Sequence, residues 1–159
     1  QAMVESASSP SPERVAQTER YWRLSPRQCD RLEAALERWE GSDIRSEALS
    51  HACLRAEQPF FRKVESRFGS YVEGAIDLLC FDPGSLRALV VDYKTGDAGL
   101  PSQELLERHR MQAGLYANVL LGEGFDEVEC AFVCVELEAG GGQPLVLRYE
   151  FGGGPSPLN

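Results

Sequence analysis

The chain has 159 residues, 43% hydrophobic and 26% charged, an ordinary globular composition that predicts one folded domain around a single core. Its net charge of −9 argues against a free-standing nucleic-acid binder, because neutralisation of phosphates by Lys and Arg supplies most non-specific affinity. Apolar stretches such as Leu86 to Val91 and Ala131 to Val135 fall far short of the roughly 20 residues of a membrane-spanning helix, so no membrane partner is expected. The N-terminal region has no apolar segment of the secretory type, which makes a cytoplasmic location the default.

Residues 1–12 are small, polar and Pro-rich and read as a flexible lead-in, followed by a single domain over 13–151 and a Gly-rich tail over 152–159. From Glu13 to Trp39 the apolar positions follow helical spacing, with Ser25-Pro26 as a start signal that divides the stretch into two helices. Gly41-Ser42-Asp43 breaks the pattern, and Ser42 or Asp43 can cap a short third helix over Ile44 to Leu54. After Glu57-Gln58-Pro59, strand character appears at Phe60 to Val64 and again at Ser70 to Phe81. The turn Asp82-Pro83-Gly84-Ser85 then leads into Leu86 to Lys94, whose apolar run predicts a central strand buried on both faces.

Asp97 to Ser102 is punctuated by Gly and Pro. Gln103 to Leu121 carries Leu105, Leu106, His109, Gln112, Ala113, Tyr116, Ala117 and Leu120 at helical spacing. Phe125 to Glu138 and Leu145 to Phe151 read as a pair of strands joined by a turn at Gly140 to Gly142.

Five cysteines, at 29, 53, 80, 130 and 134, form no C-x-x-C and no zinc-finger spacing, so they read as reduced thiols. Cys130 and Cys134 stand on one face of a strand, as core residues do. No phosphate-binding loop of the ATPase type, no G-x-S-x-G and no H-E-x-x-H occurs.

Two acids stand out because each interrupts an apolar strand: Asp77 after Gly74-Ala75-Ile76, and Asp92 after Val90-Val91. A carboxylate on a buried strand is costly without a compensating cation. If the two strands pair, both acids reach one ion, and oxygen-only ligands suit Mg²⁺ or Mn²⁺. Lys94 lies two positions after Asp92 and therefore shares its face.

The ordered set Gly74-Ala75-Ile76-Asp77-Leu78-Leu79, Val90-Val91-Asp92-Tyr93-Lys94-Thr95-Gly96 and Gln112-Ala113-Gly114-Leu115-Tyr116-Ala117 resembles the PD-(D/E)XK nuclease superfamily, in its RecB/AddA-like branch. Glu57-Gln58-Pro59-Phe60 resembles the segment that precedes the first core strand in nuclease domains of bacterial helicase–nucleases. The resemblance implies an α/β (α+β), restriction-endonuclease-like fold, a mixed central sheet flanked by helices. It implies Asp77 and Asp92 as metal ligands, the Tyr93 backbone carbonyl completing the shell, and Lys94 positioning the attacking water. Gln112 and Tyr116, on one helix face, are implied to contact DNA and brace the site.

By the same resemblance the chain is a metal-dependent DNA exonuclease domain of a larger ATP-dependent helicase–nuclease in double-strand break repair. Its DNA arrives as a single strand from a helicase motor in cis, with a second helicase–nuclease subunit as a further partner. The alternative is a non-catalytic domain of the same fold that guides DNA or scaffolds such a complex. A third option, a stand-alone CRISPR-associated relative, lacks support because the cysteines do not match an iron–sulfur set.

Active relatives carry a further His ligand from an upstream helix; here the candidate is His51, whose setting lacks the family's Gly. Arg108-His109-Arg110 reads either as a small basic patch for DNA phosphate or as a solvated helix turn. Trp22, Trp39, Phe60, Phe61 and Phe68 could stack on bases, although scattered aromatics belong more often to the core.

Overall fold

The computed structural model describes residues 10–63, 71–96 and 101–153. The expected lead-in up to residue 9, Val64, Phe68, Ser70, most of the Asp97–Ser102 connection and the tail from residue 154 lie outside the described residues.

Helices α1 (Pro12–Trp22) and α2 (Pro26–Glu40) start where Ser precedes Pro. Ser11 Oγ accepts from the Arg14 N–H at 3.3 Å, and Gln28 Oε1 accepts from the Ser25 N–H at 2.9 Å, so each first turn has a partner for donors that the helix leaves open. Helix α3 (Asp43–Ser50) is capped by Ser42, whose Oγ accepts from the Arg45 N–H at 3.2 Å.

This third helix stops at Ser50, four residues before its expected end at Leu54. The reason is Asp82, whose carboxylate accepts from the Ala52 N–H at 2.8 Å and bonds His51 Nδ1 at 3.0 Å. The chain is thereby turned into β1 (Cys53–Lys63), where Cys53 pairs with Phe81 and Leu54 with Cys80. Strand β1 also starts well before the expected Phe60, and it carries Pro59, which an edge strand tolerates because a missing donor can face outward.

The other elements are β2 (Tyr71–Phe81), β3 (Arg87–Lys94), α4 (Ser102–Gly122), β4 (Glu127–Gly140) and β5 (Gln143–Gly152). They agree with the sequence expectation to within a few residues. Among the described residues the sheet has five strands in the order β1-β2-β3-β4-β5. All neighbours are antiparallel except β3 and β4, which run parallel because α4 carries the chain back between them.

Helix α4 covers one face of the sheet, and α2 with α3 covers the other. On the α4 side Leu79, Val90, Cys130, Phe132 and Tyr149 pack with Leu105, Ala113, Tyr116, Ala117 and Leu120. On the opposite side Leu78, Cys80, Leu89, Val91, Ala131 and Val133 pack with Ile44 and Ala48, and Ala35, Trp39 and Leu54 close over them. The fold is thus the α+β, mixed-sheet arrangement that the restriction-endonuclease-like expectation requires. Strand β3 is buried on both faces, as its apolar run predicts, and Cys130 and Cys134 do share the α4 face.

The sheet divides at one place. Strands β2 and β3 pair from Phe81↔Ala88 to Leu78↔Val91. Beyond that point β3 stays with β4 out to Lys94↔Cys134, whereas β2 stays with β1 out to Tyr71↔Lys63. A two-stranded arm made of the distal halves of β1 and β2 therefore leaves the sheet, and a fork opens beside Asp92.

Both arm strands change face at the fork. Leu54 packs on the α2/α3 side and Phe60, six residues on, packs on the α4 side; likewise Leu78 and Ile76 lie in opposite cores. Strict alternation would keep each pair on one face. The exchange coincides with Glu57, at φ +50°, opposite Asp77 in the register. Gly74 completes the turn of the arm toward α4: a Cβ there would stand 2.8 Å from Phe60 Cζ, so only glycine lets that ring lie across the strand. Phe60 then meets Tyr116 edge-on, with centroids 5.9 Å apart.

Candidate active site

Alternation along β3 sends Ala88, Val90 and Asp92 toward α4. Asp92 is the one acid buried in the described interior, at 2% exposure, and its neighbours explain how a charge is held there. The Tyr116 hydroxyl donates to Oδ2 at 2.7 Å and Gln112 Nε2 donates to the same oxygen at 3.2 Å. Lys94 Nζ stands 2.6 Å from Oδ1. That oxygen accepts no well-directed hydrogen bond, so the lysine compensates its charge without saturating its lone pairs.

Gln112 fixes the lysine as well, since its Oε1 accepts from Lys94 Nζ at 2.7 Å while its Nε2 donates to Tyr116 Oη at 2.6 Å. The position needs a side chain with both a donor and an acceptor, which an amide supplies and a carboxylate does not. Spacing of four residues puts Gln112 and Tyr116 on one helix face, as expected. Burial, with Asp92 alongside, pushes the Tyr116 hydroxyl well above its ordinary pKa, so it stays a donor. Beneath Lys94 lies the Phe132 ring, 4.9 Å from the ammonium.

Asp77 sits in the fork. It lies one step beyond the last β2–β3 pair, Leu78↔Val91, and its Oδ2 accepts from the Tyr93 N–H at 2.8 Å, filling the ladder place that β2 vacates as it parts from β3. Burial raises the Asp77 pKa; the Tyr93 N–H pulls it back, Asp92 and then Glu57 raise it again, and Lys94 lowers it. The site therefore holds more negative charge than its one lysine balances.

These donors fit a small hard cation. They are carboxylate oxygens with an unsaturated buried atom among them, bordered by the main chain of Tyr93. Among the described residues no three His, Cys, Asp or Glu side chains form a ready cage. Mg²⁺ and Mn²⁺ keep several waters and take remaining ligands from substrate.

Of the residues singled out in the sequence, Asp77, Asp92, Tyr93, Lys94, Gln112 and Tyr116 come together here. His51 does not. It is held by Asp82 at the far end of β2, five residues and about 16 Å along the strand from Asp77. His109 is not a surface base either: it is 8% exposed and meets the Phe132 ring at 5.4 Å, on the buried stripe of α4, while Arg110 pairs with Glu107 at 3.4 Å. Trp39 packs on Tyr93 at 4.9 Å and Phe60 on Tyr116, so both serve the framework; Phe61 stays outside it, 66% exposed.

Three neighbours of the site carry no sequence signal of their own. Glu57 faces Asp77 only through the β1–β2 register, Phe132 underlies Lys94 only through the β3–β4 pairing, and Glu136 accepts from the Gly96 N–H at 3.0 Å across the sheet. The last bond, with Arg31 on the same carboxylate at 2.6 Å, holds the turn that follows Lys94.

Two acids and a lysine thus meet at a fork in a mixed sheet, braced by a helix amide and a phenol. The chain belongs to the PD-(D/E)XK nuclease superfamily, whose family model matches residues 2–144. It is also similar to a solved structure described as "Crystal structure of SSO0001", at 16% identity and a TM-score of 0.41, over 92% of this chain and 63% of that one. A search of curated proteins returned no match. Among the described residues no helix is long and apolar enough to cross a membrane.

Proposed function

We propose that this domain is a Mg²⁺- or Mn²⁺-dependent deoxyribonuclease that hydrolyses phosphodiester bonds at the fork between β2 and β3. The observation that carries the proposal is the convergence at the fork of Asp77, held on the Tyr93 N–H, with Asp92 and Lys94, which share one side of β3. Asp77, Asp92 and the Tyr93 carbonyl would hold the cation. When bound, it lowers the pKa of a coordinated water and offsets charge developing at phosphorus. Lys94 contributes a localised positive charge for a phosphoryl oxygen or the attacking water, and Gln112 aims it. Tyr116, kept protonated, orients Asp92.

The net charge bears on how DNA arrives. A chain at −9 gains little from counterion release, so the domain is proposed to work within a larger ATP-dependent helicase–nuclease of the RecB/AddA kind, acting in double-strand break repair. A motor in cis, with a second subunit as partner, would feed it single-stranded DNA. Five free cysteines suit the reducing cytoplasm. A second reading, a non-catalytic scaffold or DNA guide of the same fold, draws on the 2.6 Å contact by which Lys94 already occupies Asp92 Oδ1.

Calorimetric titration with Mn²⁺ separates the two. The nuclease reading predicts saturable binding that is lost in Asp92→Ala and in the milder Asp77→Asn. Equal binding by both variants and the wild type, or none by any, contradicts it.

A further inference from the structure

The arm that leaves the sheet at the fork presents an aromatic surface that the core does not use. On its outward face the register sets Pro59 beside Ala75, Phe61 beside Glu73 and Lys63 beside Tyr71. Phe61 and Tyr71 are 66% and 58% exposed, and their rings lie face to face, 5.0 Å apart and tilted by 16°. An open depression of about 730 Å³, lined by Pro59, Phe60, Phe61, Glu73 and Gly74, adjoins them.

The inward face is anchored. Phe60 rests on Tyr116, and the Arg62 guanidinium lies against α4 at Gly122, where helix carbonyls favour a cation. Two large rings on a braced strand pair are therefore held in water rather than in the core, at a cost in apolar exposure that folding does not explain.

We propose that Phe61 and Tyr71 form a base-stacking subsite for single-stranded DNA, receiving the bases that lie beyond the phosphate bound at the cation site of Asp77, Asp92 and Lys94. The inference rests on the nuclease reading for the location of that phosphate. Three observations select this occupant. Tyr71 stands on the strand that carries Asp77, six residues or about 20 Å from it, and Phe61 stands on the paired strand opposite Glu73, which is four residues or about 13 Å from Asp77, so one strand of DNA can occupy both. The stripe carries one residue of each sign, Lys63 and Glu73, in a chain of net charge −9, which lessens the repulsion that the rest of the surface offers to phosphate. Stacking on an aromatic face accepts any base and needs little charge, which is the form of affinity open to an acidic domain. Bases in a duplex are stacked and paired on each other and do not offer that face.

The test is fluorescence-anisotropy binding of a labelled deoxyoligonucleotide to the 159-residue chain in EDTA at low salt, as a single strand and annealed to its complement. The wild type is expected to bind the single strand at least about tenfold more tightly than the duplex, with a shallow salt dependence. The double variants Phe61→Ser/Tyr71→Ser and Phe61→Leu/Tyr71→Leu should each lose about tenfold or more, the size of one lost base stack. Unchanged single-strand binding in the Ser variant overturns the proposal, and so do retained binding in the Leu variant, equal binding of duplex, and no binding by the wild type. Concentration-dependent dimerisation of the wild type that the Ser variant lacks, seen by light scattering, would assign the rings to a contact between two copies and also overturn it. Mn²⁺-dependent hydrolysis of bis(p-nitrophenyl) phosphate by the wild type, a diester without bases, scores the nuclease reading separately.

Discussion

Replacing Lys94 by Met probes the charge balance of the site while keeping an unbranched side chain over Phe132. In the wild type the Lys94 ammonium stands 2.6 Å from Asp92 Oδ1, with side-chain exposures of 17% and 3%. Removing one member of such a pair leaves the other charge buried without compensation, which costs about 3–5 kcal/mol. The lower end applies here, because Tyr116 and Gln112 still donate to the other oxygen. About 3 kcal/mol in a domain of this size lowers the midpoint of thermal unfolding by roughly 6–12 °C. Differential scanning calorimetry in EDTA measures that gap. A second readout gives the sign of the metal effect: Lys94 no longer competes for Oδ1, so Mn²⁺ should bind the variant more tightly while cleavage is lost. A variant as stable as the wild type in EDTA, and with weaker Mn²⁺ binding, would refute the idea that Asp92 is a buried charge held in place for a cation.

Gly74→Ala should destabilise by about 1–3 kcal/mol, because its Cβ would press on Phe60 at 2.8 Å and shift that ring from Tyr116; chemical denaturation measures it. Glu136→Gln should lower the unfolding midpoint at neutral pH. The Gly96 N–H and Arg31 hold the Glu136 carboxyl below its ordinary 4.5, so its stabilisation is present above that value. The gap between variant and wild type should therefore close as pH falls through 4.5 and below. His51→Ala should leave Mn²⁺ affinity unchanged in calorimetry, since His51 bonds Asp82 and lies far from the fork.

Asp92 and Lys94 were legible in the sequence because alternation holds along β3, where two residues apart means one face, and Asp77 because it interrupts an apolar run. Gln112 and Tyr116 were legible for the same kind of reason on a helix. His109 shows how flanking residues mislead. Its helical spacing with Leu105 and Ala113 places it on the buried stripe, while Arg108 and Arg110 suggest a surface.

What could not be read depends on pairing between distant segments. The end of α3 is set by Asp82, some 30 residues downstream, which captures the Ala52 N–H and draws His51 away from Asp77. The fork itself has no local signature. It arises because β2 keeps β1 as partner and β3 keeps β4, and the change of face at Glu57 and Asp77 appears only once the β1–β2 register is known. Cys80 and Cys130 are buried in the core, and that burial pushes their thiols up to about 12.

The most direct test of the site is cleavage of an end-labelled single-stranded deoxyoligonucleotide with Mn²⁺, followed on a denaturing gel for the wild type and Asp77→Asn. Asparagine can still accept from the Tyr93 N–H, so the fork keeps its hydrogen bond and loses only its charge. Cleavage by the wild type and loss of at least about a hundredfold in the variant is the expected result, of the order that a missing catalytic charge costs. Equal cleavage by both chains, or an inert wild type that nonetheless binds Mn²⁺ saturably, would contradict a catalytic site at Asp77, Asp92 and Lys94.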